Sequence, residues 1–269
     1  MTKKVWFITG ASRGLGRQWT EAALERGDLV AATARNPESL TKLVETYGDS
    51  ILPLQLDVTD RSAVFDAVQR AADHFGKLDV IINNAGYGHF GMIEELSEDD
   101  IRAQMETNFF GTLWVTQAAL PIMRKQHSGH IIQVTSEGGI RAFPGIGAYH
   151  ASKWAVEGLS QSLSQEVEQF GIHITCVEPG PYSTDWLAVG SRHSEENPDY
   201  QIVREGNEHS WQLGTPEATR TAILKVVDAN QPPLRIFFGK SLESVTNEYE
   251  QRLATWNEWQ PVSIEAYGA

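Results

Sequence analysis

Val5-Trp-Phe-Ile-Thr9-Gly10-Ala-Ser12-Arg13-Gly14-Leu15-Gly16 passes from an unbroken apolar run into a glycine-rich turn. Val5–Thr9 reads as a strand buried on both faces. Arg17–Arg26, closed by Gly27, reads as a helix. Glycines at this junction let the chain turn tightly. They also let a pyrophosphate approach the helix N-terminus, where free N–H groups and the dipole favour an anion. The spacing is G-x-x-x-G-x-G, not the G-x-G-x-x-G of the common dinucleotide fingerprint. Taken alone the turn is a weak signal, since an ordinary strand-to-helix connection reads the same way.

The rest of the chain repeats the theme. Strands are expected at Leu29–Ala34, Ile51–Leu56, Val80–Asn83, His130–Thr135, Ile172–Val177 and Arg235–Phe238. Between them, helices are expected at Pro37–Tyr47, Arg61–Phe75, Glu98–Leu120 (stopped by Pro121), Ala148–Phe170 and Thr215–Asn230, with Leu242–Trp259 closing the chain. Asp60 has the character of an N-cap. Strands alternating with helices imply a parallel sheet covered on both faces. The fold class is therefore α/β: one doubly wound Rossmann domain over residues 1–269, with a seven-stranded sheet. The least regular segment, 181–214, follows the sixth strand, at the edge where such folds bind ligands, and is expected to close over substrate.

Composition narrows the partners. Among 269 residues, 22 Lys+Arg against 35 Asp+Glu give a formal charge of −13, which disfavours nucleic acid and anionic membrane. No apolar run reaches the roughly 18 residues of a membrane span. The apolar stretch before Gly10 is too short for a signal peptide. Cys176 is the only cysteine, so no intrachain disulfide forms, and a reducing cytoplasm is the expected setting. The eight histidines contain no H-E-x-x-H pattern, and no metal site is expected.

The end of the second strand reads Ala34-Arg35. An NAD site usually places an acidic residue there, about 20 residues past the turn, for the ribose hydroxyls. Arg35, with Arg13 in the glycine turn, suits a 2′-phosphate instead, because a guanidinium binds phosphate bidentately. The expected cofactor is NADP(H), unless both arginines are merely solvated charges. Tyr149 and Lys153 stand four apart on one helix face. An ammonium beside a phenol favours the phenolate, bringing the tyrosine toward working pH for acid/base chemistry. Ser136, at the end of the fifth strand, can hydrogen-bond a substrate carbonyl at the same sheet edge. Each signal has a plain alternative: most Y-x-x-x-K pairs are surface neighbours, and Ser136 suits an ST-turn.

In order along the chain, Thr9-Gly-Ala-Ser-Arg-Gly-Leu-Gly16, Asp57-Val58, Asn83-Asn-Ala-Gly86, Asn108, Ser136, Tyr149-His-Ala-Ser-Lys153 and Pro179-Gly180 resemble the short-chain dehydrogenase/reductase family. The resemblance covers Lys4 to about Phe238. It implies that Tyr149 is the general acid/base, that Lys153 lowers its pKa and holds the nicotinamide ribose, and that Ser136 orients the carbonyl. It further implies that Asn108 holds a water in a proton relay. Gly10, Ser12, Arg13, Gly14, Leu15, Gly16 and Arg35 would bind the phosphates. Asp57 and Val58 would bind the adenine edge, Asn84, Ala85 and Gly86 the middle of the cofactor, and Pro179, Gly180 and Thr184 its nicotinamide end. Ser136-Glu-Gly-Gly and Pro232-Pro-Leu-Arg-Ile-Phe-Phe-Gly239 resemble the branch of retinol- and 17β-hydroxysteroid-type reductases.

The expected activity is metal-independent hydride transfer between NADP(H) and a carbonyl or secondary alcohol, with a fairly apolar substrate. Glu137, Tyr182 and Trp186 are expected in the substrate pocket. His89 is placed there or in a structural role, and Trp211 in the pocket or core. Trp154, Trp256 and Trp259 are read as core or subunit contact. His150 falls on another helix face from Tyr149. A homo-oligomer, dimer or tetramer, is implied by the family's habit of pairing the helices 98–120 and 148–170. The alternatives are a non-catalytic dinucleotide-binding sensor and an epimerase or dehydratase of the long-chain group. The intact Asn108/Ser136/Tyr149/Lys153 set disfavours the first, and the short stretch after the seventh strand disfavours the second.

Overall fold

The computed structural model describes residues 3–186, 190–207 and 212–268. Strands β1 (Val5–Ile8), β2 (Leu29–Ala34), β3 (Ile51–Gln55) and β4 (Val80–Asn83) alternate with helices α1 (Gly14–Glu25), α2 (Thr41–Tyr47) and α3 (Arg61–Phe75). A short β5 (His89–Phe90) precedes α4 (Glu98–Met105) and α5 (Gly111–Gln126). Then come β6 (Gly129–Val134), α6 (Gly147–Val167), β7 (Ile172–Pro179), β8 (Arg192–His193), α7 (Gln201–Gly206), α8 (Thr219–Asp228), β9 (Arg235–Phe238) and α9 (Leu242–Tyr267). The main sheet has seven strands in the order β3-β2-β1-β4-β6-β7-β9, and all its pairings are parallel. The chain leaves β1 toward β2 and returns on the other side at β4. That reversal opens a crevice beyond the carboxyl ends of β1 and β4.

Side chains alternate across each strand, so both faces of the sheet need cover. Val5, Phe7, Ile81 and Ile131 pack with Val64 and Val68 of α3 and Val115 and Met123 of α5. Trp6, Ile8, Val30, Ile82 and Ile132 pack with Trp19 of α1 and Ile223 of α8 on the other face. This double burial explains the nearly unbroken apolar strand runs.

Several expected boundaries move. The helix expected to stop at Leu120 runs through Pro121 to Gln126. Proline removes one hydrogen bond to the carbonyl four residues back, but Pro121 and Gln117 are both exposed, so that carbonyl reaches water. The same segment is interrupted upstream by a π-helical turn at Glu106–Phe110, with Asn108 buried at its centre. Likewise α9 passes through exposed Pro261 to Tyr267, well beyond Trp259. The core alternative for three tryptophans is overturned: Trp154, Trp256 and Trp259 are 38%, 62% and 59% exposed. Trp154 points away from the face that carries Lys153 and Val156, and Arg252 covers its ring at 5.3 Å. From Leu253 onward every described residue of α9 is exposed, so no described element packs over Trp256 or Trp259. Among the described residues, no helix is long and apolar enough to cross a membrane.

Candidate active site

The glycine turn after β1 is built on backbone that other residues avoid. Gly10 and Gly14 have φ of +66° and +57°, the left-handed region where a side chain is strained. This turn is tied to the one after β4. Asn84 Nδ2 donates to the carbonyls of Thr9 (2.9 Å) and Gly10 (3.1 Å). Thr9 Oγ1 accepts from the backbone N–H groups of Asn84 (2.9 Å) and Ala85 (3.0 Å). Below it, Asn83 Nδ2 donates to Gln133 Oε1 (2.8 Å) and Thr116 Oγ1 (3.1 Å), fixing β4 to β6 and α5. Gly16 stands behind the cleft wall rather than in it: a Cβ there would lie 2.4 Å from both Asn84 Nδ2 and the Gly10 carbonyl. The absence of a side chain at Gly16 thus has a packing reason of its own.

One cleft of about 330 Å³ runs along the sheet edge from Arg35 to Trp186, within the small-ligand range. At one end it is lined by Gly10, Ser12, Arg13, Gly14, Leu15, Arg35, Asp57 and Val58. Arg13 and Arg35 are exposed. The Asp57 carboxylate accepts from the Thr59 N–H (3.0 Å) and hydroxyl (2.8 Å). The first turn of α1 carries no acidic residue, so its N-terminal dipole is open to an anion. Left-handed glycines, an uncompensated helix N-terminus and two arginines fit a phosphorylated dinucleotide. Asn84, Ala85, Gly86, Pro179, Gly180 and Thr184 line the middle of the cleft.

Ser136, Glu137, Tyr149, Lys153, Tyr182 and Trp186 line the other end. Ser136 Oγ caps the turn after β6 by accepting from the Gly138 N–H (3.0 Å), donates to the Pro179 carbonyl (3.4 Å), and is near enough to the Tyr149 phenol to act on its acidity. The ST-turn and the site role therefore coexist in one residue. Lys153 is buried; its Nζ donates to the Val134 carbonyl at 2.8 Å and lies 5.7 Å from the centre of the Tyr149 ring. Burial pushes the Tyr149 phenol up to about 12; the Ser136 hydroxyl opposes this and the Glu137 carboxylate adds to it. Burial also pushes Lys153 down to about 8, opposed by Glu157 one helical turn away. The expected lowering of Tyr149 by Lys153 is therefore not the dominant effect among the protein's own groups. Desolvation outweighs it.

Asn108 does not line the cleft. Its Oδ1 accepts from the Tyr87 N–H (3.1 Å), and its Nδ2 donates to the Tyr87 carbonyl (3.0 Å) and Ser152 Oγ (3.1 Å). It holds the turn after β4 against α6, directly behind Gly86, where a Cβ would lie 3.1 Å from Asn108 Oδ1 and 3.6 Å from Lys153 Nζ. His89 does not enter the cleft either. It is buried, with Nε2 3.0 Å from Ser194 Oγ, and belongs to the small β5–β8 sheet that ties Arg192 and His193 to the body. His150 packs on the Phe143 ring and lies 2.8 Å from the Gly138 carbonyl through Nδ1. Trp211 falls outside the described residues.

Residues missed by sequence reasoning also line the cleft: Tyr87, Phe90, Phe143, Ile146 and Asp185. Phe143 and Ile146 sit between Ser136 and Tyr149 in the chain, and that enclosure was the available signal. Glu137 is held by Ser241 and by Arg141, whose Nη2 donates to Glu137 Oε1 at 2.9 Å. Neither partner carried a sequence signal.

A family model described as short chain dehydrogenase matches residues 4–194. The chain is 42% identical over 269 residues to "Oxidoreductase BOA17" of Botryotinia fuckeliana, covering 97% of this chain and 98% of that one. A short-chain dehydrogenase from Streptomyces avermitilis superposes with a TM-score of 0.91 at 36% identity, covering 98% of both chains. The protein ElxO, solved with NADP bound, superposes with a TM-score of 0.74 at 29% identity, covering 88% of this chain and 98% of that one.

Proposed function

Because this chain belongs to the short-chain dehydrogenase/reductase family and is an oxidoreductase, we propose that it transfers hydride between NADP(H) and a carbonyl or secondary alcohol. The observation that carries this reading is that buried Tyr149, Ser136 and Lys153 line one end of the cleft that begins at the glycine turn, with Lys153 Nζ 5.7 Å from the Tyr149 ring centre. A bound nicotinamide dinucleotide supplies or accepts the hydride. Arg13 and Arg35 would hold its 2′-phosphate, and the α1 N-terminus its pyrophosphate. ElxO, with NADP bound, offers a precedent on this fold.

The chain's own groups perform the proton chemistry. A phenol held near 12 stays protonated at neutral pH and is ready to donate to a developing alkoxide. Ser136, fixed by the Gly138 N–H, offers its hydroxyl to the same oxygen, so charge develops against two placed donors. The Lys153 ammonium, brought down to about 8, sits behind the phenol as the group that can resupply its proton. Asn108 keeps Gly86 and α6 at fixed separation, with its relay role as the family resemblance implies. The domain works as one unit in the cytoplasm, with Tyr182 and Trp186 walling the substrate end. A homo-oligomer is supported by exposed Ile101 on α4 and Trp154 on α6.

The test is Tyr149→Phe. Turnover over a carbonyl panel should fall by about 100-fold or more, while NADPH binding, read by fluorescence enhancement, stays within a few-fold of wild type. Undiminished turnover would remove Tyr149 from its role.

A further inference from the structure

The substrate end of the cleft has a wall and a charge pattern that restrict what can enter. Trp186 packs edge-on against Tyr149, ring centroids 5.3 Å apart at 61°, and against Phe90 at 5.8 Å and 65°. It is seated on Gly88: a Cβ there would lie 2.5 Å from the indole Cζ2. Phe143, Ile146 and Tyr182 line the same end. Among the described residues, the cations lining the cleft are Arg13 and Arg35, at the nucleotide end, and buried Lys153. Away from the nucleotide end the lining carboxylates are Glu137, next to Ser136 in the chain, and Asp185. Arg141 pairs with Glu137 but does not itself line the cleft.

We propose that this site takes a neutral carbonyl compound with a flat, apolar body laid against Trp186, and refuses ketones that carry a carboxylate. The proposal rests on the carbonyl-reduction reading. Aromatic side chains bind a flat apolar group by burial and by edge or offset contacts. An anion in the same place would lose its hydration and find no free cation, because Lys153 is buried and donates to the Val134 carbonyl and Arg141 is paired with Glu137.

A matched pair of ketones tests this on the unaltered protein: acetophenone and 4-acetylbenzoate, which differ by one carboxylate. With NADPH, kcat/KM for acetophenone should exceed that for 4-acetylbenzoate by about tenfold or more, and Glu137→Gln should narrow the ratio. Trp186→Ala and Gly88→Ala should each reduce the advantage of acetophenone over acetone by about three- to tenfold. The second acts because a methyl group at position 88 unseats the indole. NADPH binding by both variants confirms that they are folded. Equal or faster reduction of 4-acetylbenzoate overturns the charge rule. Unchanged aryl preference in either variant overturns the seat. If neither ketone is reduced, the reduction reading falls by itself, and binding of the same pair, followed by quenching of tryptophan emission, still decides the preference: tighter 4-acetylbenzoate overturns it and tighter acetophenone sustains it.

Discussion

Glu178→Gln should make the protein more stable at alkaline pH. Glu178 on β7 is 1% exposed. Its Oε1 has no hydrogen-bond partner and lies 3.8 Å from Arg235 Nε. That guanidinium is committed to Glu157 Oε2 at 2.8 Å, so two buried carboxylates share one cation. Burial first, and then the Glu157 charge, push Glu178 from an ordinary carboxylate value near 4.5 up to about 8, against the pull of Arg235. The folded state thus keeps a proton that the unfolded state releases near pH 4.5. Between these values the unfolded chain binds fewer protons, so stability falls as pH rises and the loss is complete above about pH 8. At about 1.4 kcal/mol for each tenfold change in proton affinity, the ceiling is about 5 kcal/mol. Arg235 is 34% open to solvent and the burden is shared with Glu157, which brings the expectation to about 2 kcal/mol. Glutamine has the same shape and carries no charge. Urea unfolding followed by tryptophan fluorescence should give similar stabilities for the two proteins at about pH 5 and a gap of about 2 kcal/mol in favour of the variant at about pH 9. A difference that does not change with pH, or one that favours wild type in the alkaline range, would refute the reasoning.

The remaining predictions concern the nucleotide end. Arg35→Asp should shift the ratio of kcat/KM for NADPH over NADH toward NADH by about tenfold or more, since a charged hydrogen bond contributes about 1.5–3 kcal/mol; an unchanged ratio takes Arg35 out of cofactor choice. Gly16→Ala forces a methyl group against Asn84 Nδ2 and the Gly10 carbonyl, each 2.4 Å from the ideal Cβ position. Overpacking of this kind costs about 1–3 kcal/mol. Thermal unfolding should report that loss together with weakened NADPH binding, because Asn84 carries the glycine turn.

Legibility in the sequence tracks the range over which each signal acts. Strand and helix identity came from local apolar runs and from caps such as Asp60, whose side chain does accept from the Ala63 N–H at 3.0 Å. Strand order was constrained because alternating elements leave few ways to cover a parallel sheet. Ser136, Tyr149 and Lys153 were legible because two of them share a helix face and the third ends a neighbouring strand. The π-helical turn at Glu106–Phe110 was not, since one extra residue in a turn leaves the apolar pattern on either side intact. The run through Pro121 was hidden for a related reason: whether a freed carbonyl finds water depends on which side of the helix faces out.

The contacts that shape the site lie mostly beyond that range, and they change its chemistry. Trp186 meets Gly88, and Glu137 meets Ser241 across 104 residues of chain. Neither pair has a spacing that marks it. The acid strength of Tyr149 depends on the same long-range enclosure. Spacing supplied the cation and pointed toward a lowered phenol, but spacing does not report how much water the fold removes. With Tyr149 and Lys153 both buried, desolvation disfavours the charged form of each and moves their proton affinities apart, to about 12 and about 8. A phenol and an amine that begin near the same value and are driven apart in this direction leave the tyrosine as the proton holder and the lysine as the group that gives its proton up more readily. This ordering suits donation to an alkoxide from the tyrosine, with replacement from the lysine behind it. It arises from burial of the pair and could not have been deduced from their four-residue separation.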